Sequence, residues 1–524
     1  VTLTKKLQYL ALTGLVALGG CSKPKGGSGG GQAVGGMGKA LVTGVAVDLR
    51  VTPDGKFAAF LLEAEKPRLE GIPPQMMLGE LNVAPTGGGA PRKLGTGVTN
   101  VPGGYFLSAD SRWALYLAGY NAASQSGELF AADLANPAGE RQRLGGNVSY
   151  MLLSADSKQV AFVDQAVLKV GALPAGPFKD VAGEVSTAQF SPDGKTLYFK
   201  RRLTAAGGLY FVDLGKTDAP KKLADQVGDF AISPDSMNVA FAQRSEVVRS
   251  TYDLLFARQP DMKPTKLATG TGGFAFSPDG KWLARTEGSR PELIGDLFVG
   301  PASGGPGEKA GVRVQEFSFA PDSAAIAMLE LYDISARAGL LTVARAPDWK
   351  GKRVGDRCPN FTWGADGKYV AFLSRFLKPD YSVDLMLYTL GDDAAVKVNR
   401  GVFGYGFGPK NAFLVFRSNC IREGRACDLL QLDLAKPKEP PKKLVEGIYS
   451  FKMAESGDRL LLSYARTQGE LFDAAVYNLK TGERKTIEQG VRLPAMFLDD
   501  AGTKVAYIVL ERSRAGVYVA DPVP

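Results

Sequence analysis

The stretch Phe276–Ala284, FSPDGKWLA, encodes a strand, a tight turn and a second strand. Pro278 presets φ for the first corner of a type I turn, the Asp279 carboxylate can fold back onto a backbone N–H, and Gly280 supplies the positive-φ residue that follows. Phe274 and Phe276 lead in and Trp282 and Ala284 lead out, with the period of half-buried strands. Copies of this turn recur along the chain, with Asp54, Asp110, Asp156, Asp193, Asp235, Asp279, Asp322, Asp366, Lys410, Ser456 and Ala501 at the Asp position. Successive copies lie 37 to 56 residues apart. Such a period, with short strands and no helical pattern, predicts an all-β chain of propeller blades. In the Asp193 repeat the alternation predicts strands over 185–190, 196–200, 208–214 and 220–224.

The outer strand has its own pattern, seen as RKLGTG from Arg92, KKLADQ from Lys221, TKLATG from Thr265 and KKLVEG from Lys442. Residues Gly38 to Gly44, GKALVTG, look like one more outer strand placed ahead of the first inner one, and the last repeat has no outer strand of its own. A blade assembled from both ends would leave no exposed sheet edge. Eleven turns exceed the four to eight blades of a typical ring, so two rings are expected, over 38–305 and 306–524, with 303–312 as a second closing strand. One large ring is the other arrangement.

The Ser-Pro-Asp-Gly turns with this spacing resemble the repeat of TolB-type β-propellers, relatives of the WD repeat, over nearly all of the chain beyond residue 38. The resemblance implies a fold and leaves function open, because such repeats serve scaffolds, translocation proteins and peptidase gates alike. The family's namesake carries an α/β domain where this chain has a Gly/Ser-rich stretch.

The N-terminal segment reads as targeting. Lys5 and Lys6 precede an apolar run, and Leu18-Gly19-Gly20-Cys21 resembles a bacterial lipobox. That resemblance implies a signal peptide over 1–21 with Cys21 lipidated. Residues 22–37 then form a Gly/Ser-rich tether, and Ser22 points to the outer membrane, facing the periplasm. Gly26-Gly27-Ser28-Gly29-Gly30 matches a nucleophile elbow only formally, since no strand precedes it.

The chain of 524 residues contains no His. That excludes Ser-His-Asp and Cys-His catalysis and most catalytic metal sites, so no enzyme, cofactor or metal is expected. A carboxylate-only polysaccharide hydrolase or lyase is the alternative reading. The turn residues Asp54, Asp110, Asp156, Asp193, Asp235, Asp279, Asp322 and Asp366 are read as structural caps. Beyond Cys21, an oxidising compartment favours a Cys420–Cys427 bridge across a hairpin, leaving Cys358 over; a bridge from Cys358 to one of the pair is the alternative. A net charge of +9 is spread without a basic run, so nucleic acid is not expected as a partner.

The connections between second and third strands are basic in repeat after repeat. They carry Arg244, Arg249, Arg290, Arg337, Arg375, Arg422, Arg425 and Arg466, together with Arg201, Arg202 and Arg514, among scattered acids. One sign of charge around a channel mouth steers association, so these arginines are candidates for recruiting an envelope protein or an anionic envelope polymer. The expectation is a lipid-anchored, non-catalytic binding or scaffolding module of the cell envelope.

Overall fold

The structure is a computed structural model and describes residues 38–136, 139–174, 176–202, 207–216, 218–246, 251–288, 294–374, 383–421, 426–465, 471–511 and 513–521. These hold 42 strands and one short 3₁₀ turn, Pro409–Asn411. All strand pairing is antiparallel, and within a repeat it is sequential except in the last, where a strand from the start of the chain joins. Seven sheets are four-stranded and two are seven-stranded. Each seven-stranded sheet is two repeats joined by one long strand, Gln142–Leu153 or Arg484–Phe497, that leaves one repeat as its outer strand and enters the next as its inner strand. The arrangement is consistent with a multi-bladed propeller. In the Asp193 repeat the strands are Val185–Phe190, Thr196–Arg201, Gly208–Asp213 and Lys221–Asp225.

Each turn is built as its residues dictate. The Ser277 hydroxyl donates to Asp279 Oδ1 at 2.6 Å, the Lys281 N–H donates to the same oxygen at 3.1 Å, and the Trp282 N–H donates to Ser277 Oγ at 3.0 Å. Burial raises the Asp279 pKa, but these donors and the Lys281 ammonium hold it below its ordinary value. All eight turn aspartates accept the N–H two residues on. The next position has positive φ in every copy, whether Gly, Ser or Asn stands there. The outer-strand pattern has a similar cause. Its sixth residue, Gly97, Gln226, Gly270 or Gly447, also has positive φ and turns the chain into the next repeat.

Packing between sheets uses a single recurrent position, six residues beyond the turn Asp. Phe60, Tyr116, Phe162, Phe199, Phe241, Met328, Phe372, Phe416, Leu462 and Tyr507 stand there, all fully buried; in the sixth repeat the residue is Arg285, also buried. Eleven apolar clusters fill the junctions, each drawing on two successive repeats. One of them joins Ile508, Val517 and Val519 of the last repeat to Ala58 and Phe60 of the first. The junction around residue 305 is packed like its neighbours, with Leu297, Val299 and Val314 against Phe319, Met328 and Trp349. Glu308–Val314 pairs with Gly295–Pro301, so this segment is the outer strand of its own sheet.

The strand Lys39–Thr43 pairs antiparallel with Gly516–Ala520, and Leu41 is buried in the cluster that joins last repeat to first. Deleting Lys39–Thr43 removes the Leu41 side chain, whose burial is worth about 1.5–3 kcal/mol, and uncovers Gly516–Ala520 as a new, apolar sheet edge. That deletion should lower the melting temperature and promote aggregation, whereas deleting 22–37 should do neither. Equal melting temperatures for the two would show that the strand contributes nothing to stability.

Candidate docking face

Strand order gives the molecule two unlike faces. One carries the Pro-Asp-Gly turns and the connections from third to fourth strands. The other, the loop face, carries the connections from second to third strands and the passages between repeats.

The turn face is occupied with its own architecture. Its aspartates are engaged as described, and several turns are tied to their neighbours. Ser111, Ser236 and Ser323 each accept, through Oγ at 3.0 Å, the N–H of the turn Asp one repeat back, and Asn411 Oδ1 accepts the Ala365 N–H at 2.9 Å. Sequence reasoning missed these links, although Ser or Asn in place of Gly at the positive-φ position is their visible signal.

On the loop face Arg244 and Arg337 are exposed, with no ion-pair partner among the described residues. Arg201 donates to the Gly183 carbonyl at 3.1 Å and lies over the Tyr210 ring, which ties it to the fold. Arg514 is also structural. Its guanidinium grips Glu488 through two hydrogen bonds, of 2.7 and 3.1 Å, and the Glu488 side chain is 0% exposed. Arg249, Arg290, Arg375, Arg422, Arg425 and Arg466 lie outside the described residues, as does Cys21.

The apolar side chains at the surface were not anticipated. Nine large ones are exposed among the described residues, and only Met237 belongs to the turn face. Val45, Leu69, Tyr252, Val312, Leu331, Ile334, Phe403 and Ile421 all sit at strand ends or connections on the loop face. For Leu69, Leu331, Ile334 and Ile421 the setting has a local cause. In the repeats with the strands Phe57–Glu65, Trp113–Asn121, Ala325–Asp333 and Phe413–Ile421, the second strand is long and its pairing slips near the far end. A positive-φ residue marks each slip, Glu63, Gly119, Leu331 or Asn419. Such bulges re-aim side chains. At the tip of the seventh-repeat hairpin, Asp333 accepts the Ser335 hydroxyl at 2.6 Å and the N–H groups of Ser335 and Ala336, which hold its carboxyl low and order the turn that carries Ile334 and Arg337.

Cys420 and Cys427 are bridged across the next long hairpin, beside the exposed Ile421. Cys358 is a free, buried thiol pushed up to about 12, chiefly by desolvation, so it is not a nucleophile at neutral pH. Glu316, on an inner strand, is pushed up to about 7 by burial. No three His, Cys, Asp or Glu side chains among the described residues gather as a metal-binding group.

No protein-family model matches the chain, and no curated protein matches it. Among solved structures it is similar to a eukaryotic initiation factor at 12% identity and a TM-score of 0.40, over 64% of this chain and 86% of that one. It is similar to the tricorn protease at 14% identity and a TM-score of 0.28, over 88% of this chain and 43% of that one. A hydrazine synthase of Kuenenia stuttgartiensis is matched at 14% identity and a TM-score of 0.28, over 54% of this chain and 95% of that one. Likenesses at these scores say nothing of function.

Truncating Arg514 tests its structural assignment. Arg514→Met leaves the Glu488 carboxylate buried without its partner, which should cost about 3–5 kcal/mol. The double variant Arg514→Met, Glu488→Leu should recover most of that loss in urea unfolding. A neutral single variant would return Arg514 to the surface arginines.

Proposed function

We propose that this chain is a bacterial cell-envelope protein, lipid-anchored through Cys21 at the outer membrane, whose eleven repeats close one ring and whose loop face docks an envelope protein without catalysis. The observation that carries the reading is the gathering of exposed apolar side chains with exposed arginines on one face, while the other face is engaged with itself. Apolar anchors with Arg are the usual centre of a protein interface, and here both are collected on one face. An anionic polymer would call for charge alone, so the apolar residues favour a protein. A single ring is supported by the cluster joining last repeat to first and by the cluster that spans residue 305, which a division there would open.

The combined variant Leu331→Asp, Ile334→Asp, Phe403→Asp, Arg244→Glu and Arg337→Glu should reduce cross-linking to its partner in intact envelopes by about ten-fold or more, as loss of interface anchors does. Its melting temperature should hold, because exposed side chains contribute little to stability. The variant with the two arginine changes alone should lose capture mainly at low salt, since screening acts over roughly 8 Å at about 0.15 M. Met237→Asp with Lys56→Glu, Lys195→Glu and Lys368→Glu, on the turn face, should leave capture unchanged. The reverse pattern would move the docking surface to the turn side.

The ring is tested separately. Negative-stain images of the purified chain should show one round particle with one central hole. Two holes per particle would restore the division at 305.

A further inference from the structure

The position six residues beyond each turn is an internal control for the whole chain. Ten of its eleven occupants are apolar or aromatic and fully buried, and the eleventh, Arg285, is 4% exposed. Arg285 lies two residues beyond Leu283, hence on the same side of its strand. Leu283 packs on Ala240, Leu254 and Ala268 of the fifth repeat. That cluster has four buried residues, where the next smallest junction has seven. At the same junction lies a cleft of about 410 Å³, lined by Arg285, Phe256, Thr265, Lys266, Leu267 and the turn Ser303–Pro306. Gly304 and Gly305 both have positive φ, and a Cβ on Gly304 would lie 3.1 Å from the Phe256 ring, so the turn is laid against that ring as one wall.

The guanidinium is held from one side only. Its Nε donates to Glu287 Oε1 at 2.9 Å, and its two terminal nitrogens have no acceptor among the described residues. Lys266 is engaged with Asp253 Oδ2 at 2.8 Å. The two cations are therefore balanced, and net charge would not draw a ligand in. What remains is a buried, oriented fork of N–H donors facing a cleft of the size that takes small molecules. Packing alone does not explain it. An apolar side chain of similar length, such as the Met328 found one repeat on, would fill the junction without burying a charge.

We propose that the cleft between the fifth and sixth repeats binds a small ligand through one oxyanion group, a carboxylate or a phosphate, taken by the terminal nitrogens of Arg285. Glu287 is a positioning residue that fixes the fork through Nε. The hydroxyls of Thr265 and Ser303, both on exposed residues at the rim, are placed to contact the remainder of the ligand. This site is independent of the loop face.

Inorganic phosphate and succinate, titrated separately at constant ionic strength, serve as probes and distinguish the two oxyanions. At least one should raise the melting temperature of the intact chain saturably, as binding to the native state requires. Arg285→Met leaves Glu287 without its partner, but that side chain is 29% exposed, so the variant should still fold; it should bind that probe about ten-fold more weakly or worse, the low end for a lost charge-assisted hydrogen bond. Arg285→Lys should also weaken binding, because it keeps the charge without the fork, while Glu287→Gln should retain it. In the native chain the same probe should protect Arg285 from phenylglyoxal, read by mass spectrometry, a measurement that stands even where a variant fails to fold. Absence of a saturable response to both probes, an unchanged response in Arg285→Met, or no protection would each overturn the site and leave Arg285 as an internal ion pair.

Discussion

A sheet of four short strands has two apolar faces and no helix to cover either, so each face must be buried against another copy of the same sheet. Here that requirement falls on one residue per repeat, the large side chain six places past the turn, which leans on the preceding repeat. The turn sets the spacing that delivers it. With Asp capping the corner and the next residue in positive φ, the second strand starts in a fixed register, and its buried position is then determined by counting. The pairing of Lys39–Thr43 with Gly516–Ala520 extends the same logic to the two ends, which cover each other.

Much of this was legible in the sequence because it is local and repeated. The strands of the Asp193 repeat fall within a residue or two of where the alternation puts them, and the capping role of the aspartates follows from turn chemistry. What could not be read was decided by partners distant in the chain. Arg514 counts as one more basic loop residue until Glu488, 26 residues earlier, is found beneath it. Arg285 looks like any polar residue of an alternating strand until the other ten occupants of its position are lined up. Leu331 and Ile334 are exposed at a hairpin whose pairing slips by a bulge, which depends on the partner strand. The packing around residue 305 likewise rests on contacts between sheets, about which a count of turns carries no information.

Architecture and recognition occupy different parts of each repeat. The turn side uses its hydrogen-bonding groups on the chain itself, and at four of the five places where Ser or Asn replaces Gly it links one turn to the next. The loop side is tied to the fold at fewer described points, Arg201 and Arg514 among them. Its connections vary in length and carry side chains that the sheets do not need, the general condition under which loops on a rigid frame take up binding. The Cys420–Cys427 bridge sits on this side, on one of the long hairpins that hold apolar side chains out.

The two long strands, Gln142–Leu153 and Arg484–Phe497, bear on how such a chain can change over time. At nine of the junctions a strand ends before the next begins, so a copying error that adds or drops a repeat there leaves intact hydrogen-bonded units on both sides. At these two junctions the same backbone belongs to both neighbours, and an insertion or excision would cut through a continuous ladder. The second repeat is thereby tied to the third, and the tenth to the eleventh, by main-chain pairing as well as by side-chain packing.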